Sequence, residues 1–327
     1  MGEMRLIEAV RQGLREELAA DSSVFLIGQD IGVNGGVFRV TDGLLDEFGP
    51  ERVIDSPLAE SGMVGVAIGA AMNGLRPVVE IQFADFIFPA FNQIVSEAAR
   101  MYYRTNGDYS VPIVIRAPYG GGVRGGLYHS QSVEAYFAHV PGLKVVVPCN
   151  PHDAKGLLKA AIRDNNPVLF FEHKLAYNTV QGDVPEGNYT VPIGKAAVRR
   201  EGQQLSLISY GLSVHHCLEA AETLAAEGIS CEVVDLRSVS PLDTRTLLES
   251  VKKTGRVCIV HEDNLTGGVG AEVAAIVAKD AFEYLDAPVQ RVAALDVPSF
   301  PYSPTLEDAL LPGPPDIISA ARELAAY

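Results

Sequence analysis

Pro77-Val78-Val79-Glu80-Ile81 is a short run of apolar, mostly β-branched residues. It follows a segment, residues 60–75, whose composition reads as helical. A run that is apolar at nearly every position and only a few residues long fits a strand buried on both faces. The same alternation extends outward from it, with Val24-Phe25-Leu26-Ile27 upstream. Downstream come Pro112-Ile113-Val114-Ile115, Leu143-Lys144-Val145-Val146-Val147 and Pro167-Val168-Leu169-Phe170-Phe171. Short strands separated by helical segments predict an α/β fold of βα units around a parallel sheet. From about Tyr177 to Gln204 the regularity lapses into a polar stretch containing Gly182-Asp183-Val184-Pro185-Glu186-Gly187. A second series then begins with Leu205-Ser206-Leu207-Ile208-Ser209-Tyr210, Cys231-Glu232-Val233-Val234-Asp235-Leu236 and Arg256-Val257-Cys258-Ile259-Val260. The expected organisation is a domain at 1–185, a linker at 186–204 and a smaller α/β domain at 205–327. A chain of 327 residues suits two such cores.

The 41 acidic against 26 basic side chains give a net charge of -15, which repels phosphate backbones and anionic lipid alike. Nucleic acid and membrane surfaces are not expected partners. No apolar run reaches the roughly 18 residues a membrane-spanning helix needs. The amino-terminal segment places Leu6, Ile7, Val10, Leu14 and Leu18 on one helical face and shows no basic leader. Cys149, Cys217, Cys231 and Cys258 lie far apart with no C-x-x-C pair. They read as buried reduced thiols, which indicates a reducing compartment: the cytoplasm, or the mitochondrial matrix in a eukaryote.

Segment 60–75 carries Gly62, Gly65, Gly69 and Gly74 with Ala67, Ala70 and Ala71. Glycine inside a helix costs up to about 1 kcal/mol relative to alanine, so close approach of another backbone must offset it. That approach is either packing within the chain or a subunit interface. Gly120-Gly121-Gly122-Val123-Arg124-Gly125-Gly126 contains the dinucleotide pattern G-x-G-x-x-G, but it runs into polar Leu127-Tyr128-His129-Ser130-Gln131-Ser132 instead of opening a helix. A flexible active-site loop fits better. Thr266-Gly267-Gly268-Val269-Gly270 precedes a helix and contains no lysine or arginine, so a tight turn is the simpler reading than an anion cradle.

Glu60 follows Ser56-Pro57-Leu58-Ala59 at a strand-to-helix junction, beside Leu58, Met63 and Val64. A carboxylate there either caps the positive end of the helix or sits desolvated and suited to proton transfer, and position alone favours capping. His129 lies among hydroxyl and amide side chains beyond the glycine loop, where an imidazole can exchange protons near neutrality. His215, His216 and His261 have no partners at ligand-like spacing and read as structural or surface residues.

Taken together, these segments resemble the β subunits of the decarboxylating dehydrogenase component of 2-oxo acid dehydrogenase complexes. The resemblance rests on Gly35-Gly36-Val37-Phe38-Arg39-Val40-Thr41, Ser56-Pro57-Leu58-Ala59-Glu60-Ser61-Gly62, the run from Glu80 to Phe91, Tyr128-His129-Ser130-Gln131-Ser132, Pro141 to Val146, Asp153 to Leu158, and Lys253-Thr254-Gly255-Arg256. It spans nearly the whole chain. It implies a transketolase-like pyrimidine-binding domain followed by a transketolase C-terminal-like domain, with thiamine diphosphate as cofactor. On the same basis Glu60 hydrogen-bonds the aminopyrimidine nitrogen and becomes catalytic, Phe86 stacks on that ring and Gln82 lies on the cofactor side. His129 matches the histidine that handles substrate and acyl transfer to lipoamide. Oxygens of Ile113, Ala161, Ile162, Asp164 and Asn166 would map to a structural potassium site.

The Gly-Asp-Gly motif that introduces the diphosphate-bound Mg²⁺ in thiamine enzymes is absent. Gly107-Asp108 continues into Tyr109 and Gly182-Asp183 into Val184. The Mg²⁺ side of the cofactor site is therefore expected from a separate α subunit in an assembly of two α and two β chains. A lipoyl-bearing acyltransferase is the further partner, with Pro298 to Pro315 a candidate docking segment. The stretches 81–91, 128–132 and 265–268 resemble most the type acting on 3-methyl-2-oxobutanoate, with pyruvate and acetoin relatives as alternatives. A transketolase-like half enzyme, a nicotinamide-binding dehydrogenase and a non-catalytic homologue are the rival readings.

Overall fold

In a computed structural model the chain is described over residues 2–327 and divides into two compact units. One comprises residues 2–119 and Tyr136–Ile193, the other Gly120–Ala135 and Gly194–Tyr327.

The first unit contains β1 (Gly2–Arg5), β2 (Val24–Gly28), β3 (Val53–Asp55), β4 (Arg76–Glu80), β5 (Val114–Tyr119), β6 (Lys144–Val146), β7 (Val168–His173) and β8 (Gln181–Val184). Strands β6, β7, β5, β4, β2 and β3 lie side by side in that order, and every neighbouring pair is parallel. Their registers include Leu26 opposite Val78, Val78 opposite Val114 and Val114 opposite Val168. All six residues of β5 and of β7 are buried, which accounts for their unbroken apolar character. Each fully buried Val, Leu or Phe there contributes about 1.5–3 kcal/mol. Helix Leu6–Ala20 buries Leu6, Ile7, Val10, Leu14 and Leu18 against helix Pro151–Arg163, the stripe read from sequence. The second helix starts cleanly because the Asn150 side chain accepts from the Asp153 amide at 2.9 Å and Pro151 occupies its first turn. Lys155–Glu16 at 2.6 Å and Arg163–Glu17 at 2.6 Å tie the two helices together.

The second unit contains β9 (Ala197–Arg200), β10 (Leu205–Ser209), β11 (Cys231–Asp235), β12 (Ser238–Ser240), β13 (Val257–Asn264) and β14 (Gln290–Ala294). Its sheet runs β14-β13-β10-β11-β9, parallel except for β9, which is antiparallel to β11. Two features bear on the domain bounds expected from the sequence. Residues 186–204, expected as a linker, include β9, whose Arg199 guanidinium donates to the buried Asp235 at 2.7 Å. Residues 120–135, expected within the first domain, cluster with the second unit. All four cysteines are free and buried, and burial pushes the thiols of Cys231 and Cys258 up to about 11 and about 12.

Candidate active site

In the first unit the chain lays β3 on one side of β2, then crosses back to lay β4 on the other. Open parallel sheets bind ligands outside the carboxyl ends of strands at such a reversal. The segments leaving those ends carry Gln29 and Asp30 after β2, Glu60 beyond β3, and Gln82 after β4. The Gln82 amide joins two of them, donating to Gln29 O at 3.5 Å and Asp30 Oδ2 at 3.3 Å. The Gly32 amide donates to Asp55 Oδ1 at 2.6 Å, which fixes the end of β3.

Glu60 is the first residue of helix Glu60–Met72 and is half-buried. The residue before it, Ala59, provides no side-chain cap, so the positive helix end is left facing the Glu60 carboxylate. Among the described residues that carboxylate has no hydrogen-bond partner. It holds an acceptor in a favourable field without spending it on the helix. Gln93 Nε2 donates to the Ser61 hydroxyl at 2.8 Å beside it. Phe86 closes the 3₁₀ turn Ala84–Phe86 and meets Phe83 edge-to-face at 5.5 Å, and Phe83 meets Phe38 in the same way at 5.3 Å. This row of rings fixes the orientation of Phe86. An unpartnered carboxylate, an oriented aromatic ring and a side-chain amide fit a flat nitrogen-containing ring, and so fit an aminopyrimidine.

A buried ion network was missed from the sequence. Arg116 donates to Glu80 at 2.6 Å and to Glu172 at 2.7 Å, with Tyr177 Oη at 3.5 Å. Glu80 and Arg116 are register partners on β4 and β5. Burial pushes the Glu172 carboxyl up to about 7 against the opposing pull of Arg116. Glu80 lies within one apolar run, and Arg116 and Glu172 directly follow two others, which was the available signal. Removing one member would leave a buried charge unpaired, at a cost of about 3–5 kcal/mol.

His129 belongs to the second unit, half-buried and following the 3₁₀ turn Gly126–Tyr128. The preceding glycine run opens no helix, in keeping with the loop reading. Nearby in sequence, the buried Glu134 accepts from Tyr210 Oη at 2.8 Å. Burial, with added repulsion from Asp263, pushes the Glu134 carboxyl up to about 8. Asp263 is itself pushed up to about 6, chiefly by burial. His261 is buried, stacks on Tyr210 and is pushed down to about 4 by desolvation. The second glycine cluster serves this imidazole. A Cβ on Gly268 or Gly270 would lie 2.6 or 2.5 Å from its ring atoms. Close approach to His261, not an anion, explains those glycines.

The residues expected around potassium lie together near the ends of β5 and helix Pro151–Arg163. Arg76 Nη1 donates to the carbonyls of Ile162 at 2.9 Å and Asp164 at 3.0 Å. The Ile113 carbonyl accepts from Val168 and that of Ala161 from Asp164. The Asp164 carboxylate accepts from the Asn166 backbone and side chain, both at 2.9 Å, and pairs with Lys144. Arg76 and Lys144 thus bring positive charge to this turn from the chain itself.

Helix Glu60–Met72 settles one open question. Met63, Val64, Ala67, Ile68 and Ala71 are buried, while Gly62, Gly65, Val66 and Gly69 are exposed. A Cβ on Gly65 or Gly69 would meet nothing within 4 Å. Packing within the chain therefore does not explain these glycines.

Residues 2–180 match the family described as transketolase, pyrimidine binding domain, and residues 194–317 match transketolase, C-terminal domain. The chain is 56% identical over 327 residues to 2-oxoisovalerate dehydrogenase subunit beta of Bacillus subtilis (strain 168), covering 100% of both chains. Over the same full length it is 49% identical to the pyruvate dehydrogenase E1 component subunit beta of that organism. It is 46% identical to the protein of that name from Staphylococcus aureus (strain Mu50 / ATCC 700699), again covering 100% of both chains. A solved split gene transketolase, described as an inactive beta4 tetramer, superposes with a TM-score of 0.81 at 25% identity, covering 99% of each chain.

Proposed function

The chain belongs to the family of 2-oxo acid dehydrogenase β subunits, and on that premise we propose that it acts on 3-methyl-2-oxobutanoate and related branched-chain 2-oxo acids. The observation that carries the thiamine-dependent chemistry is the Glu60 carboxylate, without a hydrogen-bond partner among the described residues, at the strand-order reversal, with Phe86 and Gln82 on the adjoining segment. When bound, thiamine diphosphate supplies the carbon that adds to the 2-oxo carbonyl and the ring that takes up the electrons released with carbon dioxide. Glu60 would hydrogen-bond the aminopyrimidine nitrogen, Phe86 would offer it an apolar face, and Gln82, steadied by Gln29 and Asp30, would fix its edge. His129 would give a proton to the lipoyl sulfur as the acyl group is transferred.

The diphosphate and its Mg²⁺ are assigned to an α partner, because this chain has no Gly-Asp-Gly sequence. The exposed glycine face of helix Glu60–Met72 suits contact with another chain of that assembly. The greater identity to the 2-oxoisovalerate relative than to the pyruvate relatives favours the branched substrate. In the enzyme co-purified with its α partner, Glu60→Gln should preserve assembly and lower 2-oxo-acid-dependent turnover by about a hundredfold or more. Turnover within a few-fold of the unsubstituted enzyme would contradict the role of Glu60.

A further inference from the structure

The segment that carries His129 is a compact loop whose ends meet, with the Gly120 amide donating to Gln131 O at 3.0 Å. Its backbone turns repeatedly through the left-handed region. Gly120, Gly122 and Gly126 have positive φ, and so does Arg124, at 59°. A non-glycine residue in that region persists only when its surroundings over-determine it.

Two buried carboxylates supply that constraint. Glu262, near the end of β13, accepts from the Gly121 amide at 2.6 Å and from the Ser132 hydroxyl at 3.3 Å, one on each side of His129. Glu307, on helix Pro304–Leu310 and 0% exposed, uses both oxygens on the loop. Oε1 accepts from the Gly122 amide at 2.9 Å and Oε2 from Arg124 Nη1 at 2.6 Å. Arg124 also reaches Asp308 at 2.8 Å and Pro304 O at 3.3 Å. Phe300, packed with Ala294 and Leu310, stands 3.0 Å from where a Gly121 side chain would begin, and the Tyr302 ring leaves no room for one at Gly126. The carboxylates therefore reach the loop from a fixed apolar base.

We propose that Glu307 is a positioning residue for His129, acting with Arg124 and Glu262 to hold loop 120–131 in the one conformation that presents the imidazole for acyl transfer. The inference rests on the role given to His129 above. A buried carboxylate satisfied by an amide and a guanidinium has no reason to let the loop go, whereas an amide side chain would turn a donor toward Arg124. Glu307→Gln leaves an acceptor for Gly122 and removes the ion pair. Arg124→Ala removes the ion pair from the exposed side and keeps Glu307 intact.

The test uses the complete enzyme with its α partner, comparing transfer to a lipoyl substrate with reduction of ferricyanide, for Glu307→Gln, Arg124→Ala, His129→Ala and Glu307→Gln combined with His129→Ala. Glu307→Gln and Arg124→Ala should each lower lipoyl transfer about tenfold more than they lower ferricyanide reduction. Adding Glu307→Gln to His129→Ala should cost nothing further, because the two act as one unit. Amide hydrogen exchange should rise in residues 120–132 while β13 stays protected. Equal losses in both assays, or an additive double variant, would overturn the clamp while a selective His129→Ala left the histidine's role standing. Loss of that selectivity in His129→Ala itself would overturn the role of His129 and, with it, the clamp. Should Glu307→Gln fail to fold, Arg124→Ala alone decides the matter.

Discussion

Glu60 shows how a residue can be noticed in a sequence while its state is left open. Its place at a strand-to-helix junction was legible, but whether the carboxylate capped the helix was not, because capping depends on where the side-chain oxygens point. Among the described residues they have no hydrogen-bond partner, at a helix whose preceding residue is an alanine. Glu134 was not singled out at all, since a glutamate beside Val133 and Ala135 looks like an ordinary solvated acid. Its burial makes a pH prediction. Folded, it releases its proton only near pH 8, whereas unfolded it does so near the ordinary value of 4.5. Between those values the native state binds the extra proton, so this group's contribution to stability falls as pH rises through the window. Glu134→Gln retains an acceptor for Tyr210 and removes the titration. Its melting temperature relative to the unsubstituted chain should climb between about pH 5 and about pH 8.5. A constant difference across that range would contradict the burial of an ionisable group there.

The strands were legible because parallel strands covered on both faces must be apolar throughout, and β2, β4, β5 and β7 all fall where such runs were read. Strand β9 was not, since Ala197-Val198-Arg199-Arg200 is short, half polar and antiparallel at the sheet edge, where one face need not be buried. The loop 120–135 was assigned to the first domain because it lies between strands of that domain in sequence. Its hydrogen bonds to Glu262 and Glu307 come from residues more than a hundred positions later, and no local pattern announces them. The glycines of helix Glu60–Met72 were legible as a packing device but not as to whose packing. Gly69→Leu tests the assignment to another chain. With nothing within 4 Å of the new Cβ, the isolated chain should fold at least as stably, helped by up to about 1 kcal/mol of helix propensity. Assembly with the α partner, followed by sedimentation, should weaken. Unchanged assembly would remove the helix from the interface.

At the scale of the whole molecule, residues 2–180 and 194–317 match two transketolase-type domains, and no helix among the described residues is long and apolar enough to cross a membrane. The family was legible because many short motifs occur in one order along the full chain. Substrate choice was less so, because in the proposed arrangement the pocket is completed by residues of another polypeptide. The central claim is that this chain holds the pyrimidine side of a shared cofactor site and a second chain holds the rest. It is tested most directly by measuring 2-oxo-acid-dependent ferricyanide reduction with thiamine diphosphate and Mg²⁺ for this chain alone, its α partner alone and the two together, with 3-methyl-2-oxobutanoate and pyruvate. Turnover by the pair only, faster with the branched acid, is the predicted result. Turnover by this chain alone, or none of either acid by the pair, would contradict it.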